Sequence, residues 1–180
     1  PKALKDQWVW WNPPLPQASQ KTLDDVIETE PVGVEWHSQE ETERLMNMMS
    51  PVNRRKILQA QKLGRLTVGA LYRRTREGEQ RAEVRFDGVS GCLRTPGGGS
   101  SRQTIMVVNG NRVRSRLLSP REAARLMGLE DSYVLPTRYN DAYHLAGDGV
   151  VVPVVSHLTK HVFNAVIEAN RAVQPLAKAA

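Results

Sequence analysis

The chain has 180 residues, of which 40% are hydrophobic and one is cysteine. That is enough apolar material for one sizeable domain or two small ones, too much for wholesale disorder, and too little cysteine for an internal disulfide. No apolar run approaches the roughly 20 residues of a membrane span, no cationic start precedes an apolar stretch, and the single cysteine fits a reducing, cytoplasmic setting.

The formal net charge of +6 is unevenly spread. Residues 1–50 carry 4 basic and 9 acidic side chains, residues 54–125 carry 17 and 5, and residues 126–180 carry 4 and 5. Fifteen of the 17 central cations are arginine, whose planar fork matches phosphates and guanine edges. A merely solvated surface would satisfy the total charge, but its concentration in one block favours contact with nucleic acid. The chain begins at Pro1 rather than Met, which reads as a cut, processed or partial polypeptide.

In chain order, residues 1–20 hold Trp8, Trp10 and Trp11 beside Pro13, Pro14 and Pro16. They read as an extended arm or linker whose tryptophans anchor by packing. A helix opens at Ser38, with Glu41 in capping-box spacing and Leu45, Met46 and Met49 on one face. A second opens at Ser50-Pro51 and runs to about Leu63, with Gly64 as its stop. Strand texture follows over 66–73, 81–86, 91–95, 104–108 and 111–117. Glu77-Gly78 marks one turn, and Asn109-Gly110 is the strongest hairpin signal. Arg112, Arg114 and Arg116 alternate with Val113, Ser115 and Leu117, which puts three cations on one face of a ribbon.

The most informative stretch lies at 116–158. Ser119 can cap a helix, Pro120 fits its first position, Glu122 completes a capping box, and Gly128 can close it in the left-handed conformation. Further on, Gly147-Asp148-Gly149 reads as a tight turn, with Asp148 able to cap a longer helix. That helix carries Val151, Val154, Val155, Leu158, Val162 and Val166 at helical spacing.

These two pieces resemble the last two sequence motifs of the DNA (cytosine-5) methyltransferases. A Pro-Arg-Glu-x-Ala-Arg-x-Met-Gly-x-x-Asp-x-Tyr helix is matched by Pro120, Arg121, Glu122, Ala124, Arg125, Met127, Gly128, Asp131 and Tyr133, nine of fourteen positions. A Tyr-x-x-x-Gly-Asn-x-Val segment is matched by Tyr143, Gly147 and Val150, with Asp148 standing where asparagine is usual.

The resemblance implies an α+β fold: a small β-rich target-recognition domain with short helices over 21–135, then a closing motif and helix over 136–172 that completes a Rossmann-like methyltransferase domain, then a tail over 173–180. It implies S-adenosylmethionine as cofactor, contacted here by Asp148, Gly149 and Val150, and double-stranded DNA as partner. It also implies a catalytic half or subunit as partner and no membrane. The family's Phe-x-Gly-x-Gly cofactor turn, Pro-Cys nucleophile loop and Glu-Asn-Val segment do not occur in this sequence. The one cysteine, Cys92, follows a glycine and reads as structural. No catalytic residue is therefore expected on this chain, and alone it should not catalyse methyl transfer.

Two stretches match in position the recognition loops of small members of the family. One, over 72–81, offers Arg73, Arg74, Arg76 and Arg81. The other, over 94–102, offers Arg94, Thr95, Gly97, Gly98, Gly99, Ser100, Ser101 and Arg102, where consecutive glycines permit close backbone approach to DNA. His144, His157 and His161 lack the cysteine or carboxylate company of a metal site and read as surface or interface residues. The alternative to an enzyme part is a non-catalytic DNA-binding protein derived from the same fold, which the arginine ribbon over 111–117 supports equally.

Overall fold

The computed structural model of the chain describes residues 11–18, 21–95 and 102–177. They fall into two compact units: residues 21–150, and residues 11–18 with 151–177.

The larger unit is built on one antiparallel sheet. Its strands are β1 (Thr67–Arg76), β2 (Glu79–Arg85), β3 (Thr104–Asn109) and β4 (Arg112–Leu117), in the order β2-β1-β3-β4. Residues 67–71 and 104–108 are buried without interruption, because helices cover both faces of the central strands. On one face, α2 (Gln39–Asn47) and α3 (Pro51–Lys62) bring Leu45, Met49, Ile57 and Ala60 against Leu71, Val84, Met106 and Val108. On the other, α1 (Leu23–Val26), α4 (Pro120–Leu126) and α5 (Tyr139–Asp148) bring Leu23, Ala123, Met127 and Tyr143 against Val68, Ala70, Ile105 and Val107. Ile105 and Leu118 have no exposed surface; truncating either to alanine should cost roughly 2–5 kcal/mol.

The capping chemistry forms as expected. Ser38 with Glu41 and Ser119 with Glu122 make reciprocal boxes, and the Ser50 hydroxyl accepts the Asn53 N–H ahead of Pro51. Gly128, at φ +81°, ends α4 with its N–H on the Arg125 carbonyl and the Leu129 N–H on that of Ala124. That double bond pattern is the Schellman closure. The short helix α1, unforeseen in the sequence, uses the same device, with Thr22 and Asp25 as its box.

Three expectations are corrected. First, the 91–95 segment is not a strand: it pairs with none of the four strands, and Leu93 packs against the core cluster on the α1–α4–α5 face instead. Second, the β3–β4 turn is Gly110-Asn111, one residue beyond the expected pair, because Asn109 still pairs with Arg112. Gly110 at φ +54° takes the first central position, where a II′ turn requires glycine. Third, Gly147 and Asp148 form no tight turn. They are the last residues of α5, and the next helix has Val151, not Asp148, at its N-cap.

In the smaller unit, α6 (Val152–Leu158), a π-helical turn (Thr159–Phe163) and α7 (Asn164–Ala177) follow one another. The Trp11 indole N–H donates to the His161 carbonyl at 3.0 Å, an anchor of the kind expected of the arm; Trp8 and Trp10 lie outside the described residues. Val154, Val155, Phe163, Val166 and Ile167 are all more than two-fifths exposed. By length and composition alone, the helical stretch Tyr139–Arg171 is apolar enough to cross a membrane, with a best-window mean hydropathy of 1.4 and none of that window buried. The sequence expectation that no run approached this threshold is thereby overturned.

Candidate nucleic-acid interface

The β1–β2 hairpin extends past the core into solvent. Its pairing runs to Arg76 opposite Glu79 and closes on Glu77-Gly78, both in the left-handed region at φ +53° and +78°. Positive φ at both central residues is the signature of a I′ turn. Arg74 stands directly opposite Arg81, and directly paired residues leave an antiparallel ribbon on the same face. Arg76 and Glu79 share that face. Arg81 has only long, exposed contacts with Glu77 and Glu79, at 3.9 and 3.8 Å.

Arg73 departs from this group. It pairs with Ala82, whose side chain lies in the α2–α3 core, so Arg73 leaves the sheet on the opposite side. There it lines a cavity of about 260 Å³ with His37, Glu41 and Arg44. A wider groove of about 640 Å³ lies at the far end of β1, lined by Thr67, Lys56 and Arg85 among others.

Of the second candidate stretch, Arg94, Thr95 and Arg102 are described, whereas Gly97, Gly98, Gly99, Ser100 and Ser101 lie outside the described residues. Arg94 is exposed. The Thr95 hydroxyl bonds the Asp148 carboxylate, and Arg102 donates to the Asn140 side-chain oxygen. The Arg102 guanidinium also lies 5.2 Å from the centre of the Tyr139 ring. Burial pushes the Tyr139 and Tyr143 phenols up from their ordinary pKa, so both stay neutral hydrogen-bonding groups. The expected cofactor residues Asp148, Gly149 and Val150 sit together at the exposed end of α5.

The arginine ribbon is not an exposed comb. Arg112 is exposed, but the Arg114 and Arg116 guanidinium carbons lie 3.7 and 4.8 Å from the centre of the Trp36 ring. Arg116 is fully buried and meets Glu122 at 2.6 and 2.7 Å. The same Glu122 accepts the backbone N–H of Ser119 and of Glu28, each at 2.7 Å. The Ser119 hydroxyl donates to Glu28 at 2.7 Å. Arg116 of this ribbon is thus consumed by the core, which leaves Arg112 exposed and Arg114 half-buried against Trp36.

The remaining charged positions of the 120–133 motif are also spoken for. Arg125 holds Asp131 through two bonds of 2.7 and 2.9 Å and donates to the Val26 carbonyl. Its guanidinium keeps the Asp131 carboxyl below the ordinary range. Arg121 donates to the carbonyls of Glu130 and Tyr133. Cys92 is exposed, with its thiol 3.7 Å from the Leu93 carbonyl; the expected structural role finds no packing to support it. His157 and His161 lie 4.6 Å apart between ring centres.

A family model for C-5 cytosine-specific DNA methylases matches residues 9–164, which takes in the hairpin, both loop feet, the capped helix and α6. The chain belongs to that family. Among curated proteins no match was found. Members of the C-5 cytosine-specific DNA methylase family transfer methyl groups to DNA and generally use S-adenosylmethionine. Within this member, the 120–133 motif works as a folding unit: a doubly capped helix, one buried ion pair and one half-exposed one. Sequence reasoning missed Trp36, Glu28 and Asn140 as partners of the arginines. Only Tyr139, four residues before Tyr143 and so on the same helix face, carried a readable signal.

Proposed function

We propose that this chain is the DNA-recognition part of a DNA (cytosine-5) methyltransferase of bacterial type. It binds duplex DNA, places a flipped cytosine for methylation, and supplies the closing helix of the catalytic domain. The nucleophilic cysteine and most of the S-adenosylmethionine site belong to a catalytic half, either upstream in a longer enzyme or on a separate subunit. S-adenosylmethionine supplies the methyl group when bound; the residues of this chain bind and orient DNA.

The observation that carries this reading is the Arg74–Arg81 pair. Two like charges held directly opposite each other on an exposed ribbon destabilise the free chain by roughly 0.2–1 kcal/mol. A phosphate between them removes that repulsion. Arg76 on the same face extends the cationic surface, and Arg94 is a further exposed cation of the second stretch. The second support is the apolar face of α6 and α7, which the catalytic half would cover.

The test is equilibrium binding of the chain to duplex DNA across a salt series. A steep fall of affinity with salt is expected, its slope reduced by about one unit in Arg74→Ala and again in Arg81→Ala. Binding that ignores both substitutions would remove the hairpin from the interface.

A further inference from the structure

The described residues on either side of the glycine-rich stretch, 94–95 and 102–103, rest on one helix. At the incoming end, the Thr95 hydroxyl bonds Asp148, and the backbone of residues 94 and 95 lies against Gly147. A Cβ at Gly147 would come within 2.6 Å of the Thr95 nitrogen and 2.8 Å of the Arg94 carbonyl carbon. At the outgoing end, Arg102 bonds Asn140 and lies over the Tyr139 ring, and the Gln103 N–H donates to the Tyr143 hydroxyl at 3.0 Å. The Tyr139 hydroxyl is itself tied to the Leu118 carbonyl at 3.0 Å, and the two tyrosine rings stack with centroids 5.8 Å apart.

Helix α5 therefore carries one clamp in its first turns and another in its last. Asn140 and Asp148 are eight positions apart, which sets the two feet roughly 12 Å apart along the helix axis. An aspartate in the last turn of a helix opposes the macrodipole by about 0.3–1 kcal/mol. Helix stability thus gives no reason for Asp148; its bond to Thr95 does.

We infer that Asp148 is a positioning residue for target recognition. With Gly147 it holds residues 94 and 95 against α5, as Tyr139, Asn140 and Tyr143 hold residues 102 and 103. Arg102 is then a foot of the stretch and not a reader of bases. An asparagine at position 148 would keep the accepting oxygen, so the clamp survives that exchange. This inference rests on the DNA-recognition reading.

Two measurements on the full chain test it, with wild type, Asp148→Ala, Asp148→Asn and Tyr143→Phe. The first is limited tryptic hydrolysis followed by mass spectrometry. Asp148→Ala should accelerate cleavage after Arg94 by roughly tenfold through local opening, while Asp148→Asn cleaves at the wild-type rate. Tyr143→Phe should accelerate cleavage after Arg102 and leave that after Arg94 unchanged. The second is selection from duplexes with a randomised centre, read by sequencing the bound fraction. Asp148→Ala should lose sequence enrichment by about tenfold, the scale of one lost base contact, with unchanged thermal midpoint and rescue by Asp148→Asn. Cleavage at Arg94 that ignores Asp148→Ala overturns the clamp, and unchanged enrichment overturns the recognition role. A wild-type chain that enriches no sequence sinks the DNA-recognition reading itself, while the cleavage pattern still decides the clamp.

Discussion

The Arg116 guanidinium and the Glu122 carboxylate meet through two bonds, 2.7 and 2.6 Å long, with neither side chain exposed. One comes from the last stretch of β4 and the other from the N-terminus of α4, so the pair welds the sheet to the motif helix. Removing one partner leaves an uncompensated buried charge, which costs about 3–5 kcal/mol. Arg116→Met and Glu122→Leu should each lower stability by that amount in chemical denaturation. The double variant should recover only part of the loss: neither charge of the pair then remains unpaired, but the Ser119 and Glu28 N–H groups lose their acceptor.

At the hairpin tip, Glu77 adopts φ +53°, a conformation that asparagine and glycine tolerate better. Glu77→Asn should raise stability by roughly 0.5–1 kcal/mol. The exposed contact of Glu77 with Arg81 at 3.9 Å is too weak to offset the gain. Glu77→Gln removes the charge but keeps the strain, so it should tighten DNA binding without stabilising the fold. Thermal melts and binding titrations of the two variants separate the effects.

The Arg74–Arg81 juxtaposition predicts opposite signs for two properties. Arg74→Ala should stabilise the free chain slightly, by about 0.2–1 kcal/mol, as the cross-strand repulsion disappears. The same change should weaken DNA binding whatever the sequence. A variant that loses both stability and binding would mark Arg74 as a structural residue.

The pH response of the motif follows from Asp131. Its folded pKa lies below the ordinary value, chiefly through the hydrogen bonds from Arg125. A depressed carboxylate contributes stability that is complete above the unfolded pKa of about 3.9 and is lost as pH falls through the lower folded value. Melting temperatures of wild type and Asp131→Asn should therefore differ at neutral pH and converge in acid below about pH 4. A difference that persists undiminished into strong acid would exclude this pair as its source.

Much of the fold was legible because its signals are local. Three serines in front of helices, Glu41 and Glu122 three residues on, and Gly64 and Gly128 behind fix helix ends without reference to the rest of the chain. What the sequence hid depends on distant partners. Gly147 reads as a turn glycine, yet it is small because the 94–95 backbone presses on it. Arg112, Arg114 and Arg116 read as one cationic face, which they are, but alternation cannot reveal that Trp36, eighty residues earlier for Arg116, stacks over it. The β1–β2 hairpin was readable as exposed and cationic, whereas the split of Arg73 from Arg74 and Arg81 needed the strand register.

The exposed face of α6 and α7 offers a test of the proposed catalytic partner. Val154→Asp and Ile167→Asp, at half-exposed positions, should leave the larger unit folded and its DNA binding intact. Both should abolish complementation by the catalytic half, because a charge would then face an apolar seam. If instead the isolated chain partitions into lipid vesicles and these variants prevent it, the face serves a membrane.

The most direct test is methyl transfer. The chain is mixed with a catalytic half that carries the Pro-Cys loop, and labelled S-adenosylmethionine and duplex DNA are added. The predicted result is C5-methylated cytosine from the mixture alone, with neither part active separately and Arg74→Ala, Arg81→Ala reducing the yield at higher salt. Methylation by this chain alone, or a catalytic half whose activity and site preference ignore its presence, would contradict the assignment of this chain as the part that recognises DNA.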